Sequence, residues 1–250
     1  MTERADIFPS PSGWRRLSYT ARCGWVDWGH ALPAGPAGLK RQIDGEAASH
    51  PLLNRLSLTL EGEPAFVVNY GQAMGAGIVG VSLMRHWIIR KGLAAPQKES
   101  VALAIYLDAS HQFETLQGSF PFFIASGASS YSPEDLVSNL IGFYAAYRRM
   151  AQAAVREMCG EVSVEESLRI WDEHLPDGLG GIKNKSTRPI LFPTKEGPGD
   201  TSFPRVFQTI IPAPRGTLWT KLKTRFIDGA LVNVGAALNI TRDGRITYPR

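Results

Sequence analysis

The chain has 250 residues, 44% of them hydrophobic and 20% charged, which is the balance of a globular protein long enough for one large or two small buried cores. Its net charge of +4 is unevenly placed: residues 1–182 carry 15 Lys/Arg against 19 Asp/Glu, and residues 183–250 carry 12 against 4. The spread of apolar residues excludes a disordered chain. The longest apolar run, AMGAGIVGVSLM, falls short of the roughly 20 residues of a membrane span, and no Lys/Arg run interleaves with aromatics as a single-strand nucleic-acid groove requires.

The first stretch, MTERADIFPSPSGWRR, is charged, broken by prolines and without the apolar core of a signal peptide. The expectation is an extended arm over residues 1–18 on a soluble chain that starts in the cytoplasm, with export by a route lacking a cleaved signal left open. Leu39 and Ile43 share a face in PAGLKRQIDGEAA (36–48), a short helix opening at Pro36. RLSLTLEGEPAFVVNY (55–70) alternates and then turns at EGEP, which predicts a β-hairpin. Residues 73–91 are apolar and glycine-rich, and read as a closely packed helix ending at Gly92.

Residues 97–117 read as a stronger helix, entered after Pro96, stopped at Gly118 and apolar around most of its circumference. SSYSPEDLVSNLIGFYAAYRRM predicts a helix with Ser132 as cap, Pro133 first, and Glu134 and Asp135 at the positive end of the helix dipole. VSVEESLRIWDEHL pairs Ser163 with Glu166 as a capping box. From residue 179 the chain is rich in Gly and Pro, then shows strand-like pieces: RVFQTII, ALVNVGAALNI and RITYP, with RDGR as a turn. The expected class is α+β. It comprises the 1–18 arm, a helical core domain with a hairpin over 19–178, and a basic β-rich extension over 179–250 packed on that core.

The chemistry-bearing residues form two similar groups. Asp27 and His30 stand three apart in CGWVDWGHALP, and Asp108 and His111 stand three apart on the 97–117 helix. A carboxylate so placed holds an imidazole in one tautomer and raises its basicity. Glu114 lies one step further along the helix, near Phe113 and Leu116, where desolvation would raise its pKa and suit it to general-acid work. The plainer readings are a locally paired acid and core histidines with hydrogen bonds. Tyr70, Gln72, Gln117 and Trp28 are candidate substrate contacts. Two imidazoles and two carboxylates could also hold a divalent metal, but the spacing typical of such sites is absent, so no metal ligand and no cofactor are assigned. Cys23 and Cys159 show no metal-type spacing. They are two separate thiols, or one bridge if the fold brings them together.

Three stretches, YTARCGWVDWGHA, LAIYLDASHQFETLQG and SSYSPEDLVSNLIGF, together resemble a bacterial family known only as a domain of unknown function, many of whose members are predicted lipoproteins. The likeness covers roughly residues 19–145. This chain departs from it where Gln112 follows His111 and the acid arrives at Glu114, and in lacking a lipid-anchor segment. The family implies positions rather than a reaction. SHQFETLQG is also similar to the helix end of chitinase and lysozyme-type glycosidases, where the glutamate is the general acid.

These features lead to a hydrolase of a cell-wall polysaccharide of the peptidoglycan type. Glu114 would be general acid, Asp27 or Asp108 the second carboxylate, and His111 and His30 the orienting groups. The expected partner is an anionic polysaccharide or an acidic protein held by the basic third, with no nucleic acid. The alternatives are a metal-dependent hydrolase using His30 and His111, and a non-enzymatic binding or secreted adaptor protein.

Overall fold

A tight β-hairpin sits at the centre of the first of two compact units, which comprises Met1–Ala34 and Gln117–Thr209; the second comprises Gly35–Leu116 and Ile210–Arg250. The computed structural model describes residues 2–48, 54, 57–76, 79–117, 131–195, 197, 199–222, 239–240 and 246–247, excluding the side chains of 73–83, 117, 239–240 and 246–247.

In the first unit, β1 (Leu17–Thr20) pairs antiparallel with β2 (Gly24–Asp27), and all eight residues are buried. Both faces of the hairpin are therefore covered. Tyr19 and Trp25 lie opposite each other and meet edge to face at 5.5 Å, and Trp25 meets Trp171 the same way. Trp171 belongs to α5 (Val164–His174), whose Ile170 joins Ile7, Leu17, Leu175 and Leu179 in one core. Ser163 caps that helix by accepting the Glu166 N–H, as its sequence predicts. The other face of the hairpin meets α3 (Asp135–Tyr147), which is buried on nearly all sides, as a helix apolar all round must be. A further helix, α4 (Gln152–Cys159), stops at Gly160, whose φ of +70° supplies the left-handed cap. The chain then runs back along β1, bridging Glu161 to Thr20.

The second unit is built on a four-stranded antiparallel sheet in the order β3 (Leu58–Leu60), β4 (Glu63–Ala76), β5 (Val79–Arg90), β6 (Trp219–Lys221). β3 and β4 turn through Glu61 and Gly62, both at positive φ, the geometry that matches strand twist in a two-residue turn. Phe66, Val68 and Tyr70 on β4 face the same side as Ile89, Trp87 and Arg85 on β5, and α2 (Ala95–Gln117) crosses that side, its Tyr106 ring 5.5 Å from Tyr70. On α1 (Ala34–Asp44), Gln42 both donates to the Asn69 carbonyl and accepts the Asn69 N–H, so a side chain covers the strand groups that short β3 leaves open.

The mixed α+β class, a hairpin within 55–70 and the helices α1, α2 and α5 follow the sequence expectations. Four readings change. Residues 79–90 are a strand and 73–76 continue β4, where the glycine-rich run predicts a helix. A strand buried on both faces also reads as a continuous apolar run. RVFQTII holds a 3-10 turn at Arg205–Gln208 rather than a strand. The arm is not extended: it makes a 3-10 turn at Arg4–Ile7, and Ile7 is fully buried. α3 starts at Asp135 rather than Pro133, because residues 132–135 form a turn of their own, closed by the Asp135 N–H on the Ser132 carbonyl at 3.2 Å. Beyond 222, only the pairing of β7 (Asn239–Ile240) with β8 (Ile246–Thr247) is described, and the RDGR turn lies outside the described residues. No helix among the described residues is long and apolar enough to cross a membrane.

On β5, His86 is 6% exposed and its Nδ1 has no hydrogen-bond partner among the described residues. Burial, aided by the Arg85 charge, pushes its pKa down from 6.5 to about 4. As pH falls through this window the unfolded chain takes up the proton first, so native stability drops below pH 6.5 and keeps dropping to about 4. Urea melts near neutral pH and near pH 5 should show a His86 share of about 2 kcal/mol that His86→Gln removes. An identical pH dependence in variant and wild type would contradict this.

Candidate functional site

Asp27 ends β2 and shapes the loop that follows. It is 1% exposed. Its Oδ1 accepts the Gly29 N–H at 2.7 Å and the His30 N–H at 3.4 Å, and its Oδ2 accepts from Arg16 Nη2 at 3.2 Å. Its own N–H donates to Ser138 Oγ on α3 at 2.9 Å. A short acidic side chain that folds back on its own backbone makes an Asx turn, and here that turn aims the next side chain. His30 Nδ1 comes to 3.6 Å from Oδ1 of Asp135, while 33% of the His30 side chain stays exposed.

Asp135 is held in turn. Its Oδ2 accepts the Ser132 N–H at 2.8 Å, and it occupies the first turn of α3, where the helix dipole favours a carboxylate. Around this pair, Arg16 also faces Asp6 at 3.8 Å, and Thr2 hydrogen-bonds to the buried Glu134. Burial pushes the His30 pKa down; the Asp27 charge opposes this, and Arg16 adds to it. The imidazole is therefore neutral near pH 7, with one nitrogen toward Asp135 and the other toward the exposed side. At 3.6 Å the Nδ1–Asp135 contact is longer than a hydrogen bond, and Nδ1 has no hydrogen-bond partner among the described residues.

The second group of predicted residues lies in the other unit and is arranged differently. Asp108 Oδ2 accepts from Trp87 Nε1 at 3.3 Å and Gln112 Nε2 at 2.5 Å, and Oδ1 accepts from Arg215 at 3.1 Å. Gln112 Oε1 accepts from Arg85 Nε at 3.1 Å and Lys221 Nζ at 2.5 Å. Asp108 thus fastens α2 to the sheet. His111, next to it on α2, has its pKa pushed down by burial, with Asp108 opposing. Glu114 is 1% exposed. Tyr70 packs on Tyr106, and Gln72 donates to Ser110 Oγ at 2.8 Å, so both face the helix. The side chain of Gln117 lies outside the described residues. Trp28, expected to meet substrate, is fully buried instead; its Nε1 donates to Ser18 Oγ at 2.6 Å and Arg156 lies 4.3 Å over its ring.

The two Asp-x-x-His groups are therefore not equivalent halves. Asp27 and His30 belong to the first unit, Asp108, His111 and Glu114 to the second. Among the described residues no three His, Cys, Asp or Glu side chains gather as a metal ion would require. Asp135 is the residue that sequence reasoning missed as a site group. Its position in the first helical turn explains it fully as a dipole-stabilising acid, and only the fold brings it to His30. A cavity of about 500 Å³ lies elsewhere in the same unit, lined by Gly160, Glu161, Ser163, Glu165, Thr194 and Lys195 among others. In comparison with known proteins, no family model, no curated protein and no solved structure matches the chain.

Gly142 lets the His30 loop approach α3. A Cβ there would lie 3.0 Å from the Ala31 carbonyl carbon and 3.1 Å from the His30 carbonyl oxygen, both backbone atoms that cannot swing aside. Gly142→Ala gains about 1 kcal/mol of helix propensity yet should lower stability by about 1–2 kcal/mol net, through overpacking. It should also shift the His30 ring resonances in an NMR spectrum. A stabilised variant with unchanged His30 signals would contradict the packing described.

Proposed function

We propose that this chain is a hydrolase in which His30, positioned by Asp135, is the general base. The observation that carries this is the His30–Asp135 contact, with the imidazole neutral and part of it open to solvent. A neutral imidazole whose Nδ1–H points to a carboxylate keeps the Nε2 lone pair for accepting a proton. In this reading the group that His30 deprotonates is a water. The proton moves from that water to Nε2 as the water oxygen adds to the scissile carbon, Asp135 steadies the imidazolium that results, and Nε2 then gives the proton to the leaving group as its bond to that carbon breaks. Asp27 takes no part in the transfer and sets the loop.

The substrate class we assign is a bacterial cell-wall polymer, cut at an acyl bond such as an amide. One feature supports the class: the C-terminal third is strongly basic, as suits an anionic polymer. A second reading, cleavage of a glycosidic bond with Glu114 as acid, is favoured by the burial of that carboxyl. The metal-dependent reading that joined His30 to His111 has no supporting cluster among the described residues.

Digestion of purified cell-wall sacculi by the full chain separates these readings. Amide cleavage releases new amino groups and glycosidic cleavage releases reducing ends. The lead reading expects new amino groups, a loss of about 100-fold or more in His30→Ala, a smaller loss in Asp135→Asn, and little change in Glu114→Gln. The acid limb of the rate profile should lie below the ordinary histidine pKa of 6.5. Reducing ends that vanish with Glu114→Gln would replace the lead reading by the second, and no product of either kind would overturn both.

A further inference from the structure

Cys23 lies in the turn between β1 and β2, and Cys159 is the last residue of α4. The two segments run antiparallel past each other. The Ala21 N–H donates to the Gly160 carbonyl at 2.8 Å and the Arg22 N–H to the Cys159 carbonyl at 3.0 Å, beside the Thr20–Glu161 bridge. Both cysteines are fully buried, and their thiols lie close enough to act on each other's ionisation. Thr20 Oγ1 accepts the Cys23 N–H at 3.0 Å and donates to the Gly24 carbonyl at 2.9 Å, which fixes the turn that carries Cys23. Gly24, at φ +65°, holds the other side of that turn; a Cβ there would meet the Ile190 carbonyl oxygen at 2.4 Å. The cysteine pair is thus placed by rigid backbone on both sides.

Neither thiol suits nucleophilic work. Burial and the neighbouring thiol hold the Cys23 thiol far above its ordinary range, and no imidazole among the described residues hydrogen-bonds to it. A thiol that cannot ionise is neither a ready nucleophile nor a sensor. What the placement does suit is a covalent bond between the two.

We propose that Cys23 and Cys159 form an intramolecular disulfide when the chain folds in an oxidising compartment. The oxidant is a disulfide reagent or enzyme of the thiol–disulfide exchange class. One cysteine thiolate attacks the oxidant's disulfide and forms a mixed disulfide; the second then attacks the cysteine sulfur of that intermediate. The Sγ–Sγ bond forms, two protons and two electrons leave the cysteines, and the oxidant departs as a dithiol. Exchange takes place while the chain is still folding, before both sulfurs are sealed. The bond closes a long loop, which restricts the unfolded chain, and it ties the turn of the hairpin that positions Asp27 to the end of α4. Disulfides of this kind belong to proteins of extracytoplasmic spaces. The inference does not rest on the hydrolase reading.

The full chain is refolded from denaturant in a glutathione redox buffer and, in parallel, under dithiothreitol. Each sample is then unfolded in an alkylating reagent and weighed intact. The expected oxidised product is a monomer without alkyl groups, lighter than the reduced chain by two hydrogen atoms. It should have the near-ultraviolet circular dichroism of the reduced fold and a higher melting temperature. The Cys23→Ala, Cys159→Ala double variant should lose the difference between the two buffers. Two alkylated cysteines after oxidative refolding, covalent dimers, or a bonded monomer without native dichroism would each overturn the proposal.

Discussion

The buried carboxylate of Asp27 is the constraint on which the first unit depends. It closes the end of the β1–β2 hairpin, folds the next three residues into a turn, takes the Arg16 guanidinium, and lies where its backbone N–H reaches Ser138. Removing its side chain would take the acceptor from the part-buried Gly29 N–H, a cost of about 1–3 kcal/mol. Hairpin, loop and helix α3 thus share one polar anchor inside an otherwise apolar setting. That sharing explains why a helix as uniformly buried as α3 carries Ser138 in its interior, and why Gly142 stands one turn further along, under the His30 loop.

The same anchor separates positioning from reaction. Asp27 is committed to backbone and arginine. Asp135 has one oxygen committed to Ser132 and the other facing His30. Of the two acids near the imidazole, the one distant in sequence is the one whose carboxylate faces Nδ1. In the second unit, by contrast, Asp108 collects a tryptophan, a glutamine and an arginine. Its neighbour Gln112 collects another arginine and a lysine. This is the signature of a polar fastening between helix and sheet, with each buried charge answered.

Much of the local structure was legible in sequence because its signals are local. The Ser163 cap, the hairpin around Glu61 and Gly62, and the apolar circumference of α2 are each decided within a few residues. The β5 strand was not legible. VGVSLMRHWIIR lacks polar alternation because both of its faces are covered near Trp87, and periodicity alone cannot tell such a strand from a buried helix. Ile7 was hidden by its charged and proline-rich surroundings. For the site, proximity in sequence marked Asp27 and His30 correctly as one group. It also suggested that Asp108 and His111 were a second copy, although their surroundings differ. Asp135 could be read only as a helix-start acid, since its meeting with His30 depends on α3 docking against the hairpin.

The central claim is that His30 is a neutral base with its Nδ1 turned to Asp135. Proton–nitrogen correlation NMR of the imidazole ring tests it most directly, because the spectrum reports charge and tautomer together. The account predicts a neutral ring at pH 7 in the Nδ1–H tautomer, with the tautomer balance disturbed in Asp135→Asn. A ring protonated at pH 7, or one carrying its proton on Nε2 and indifferent to Asp135→Asn, would contradict it.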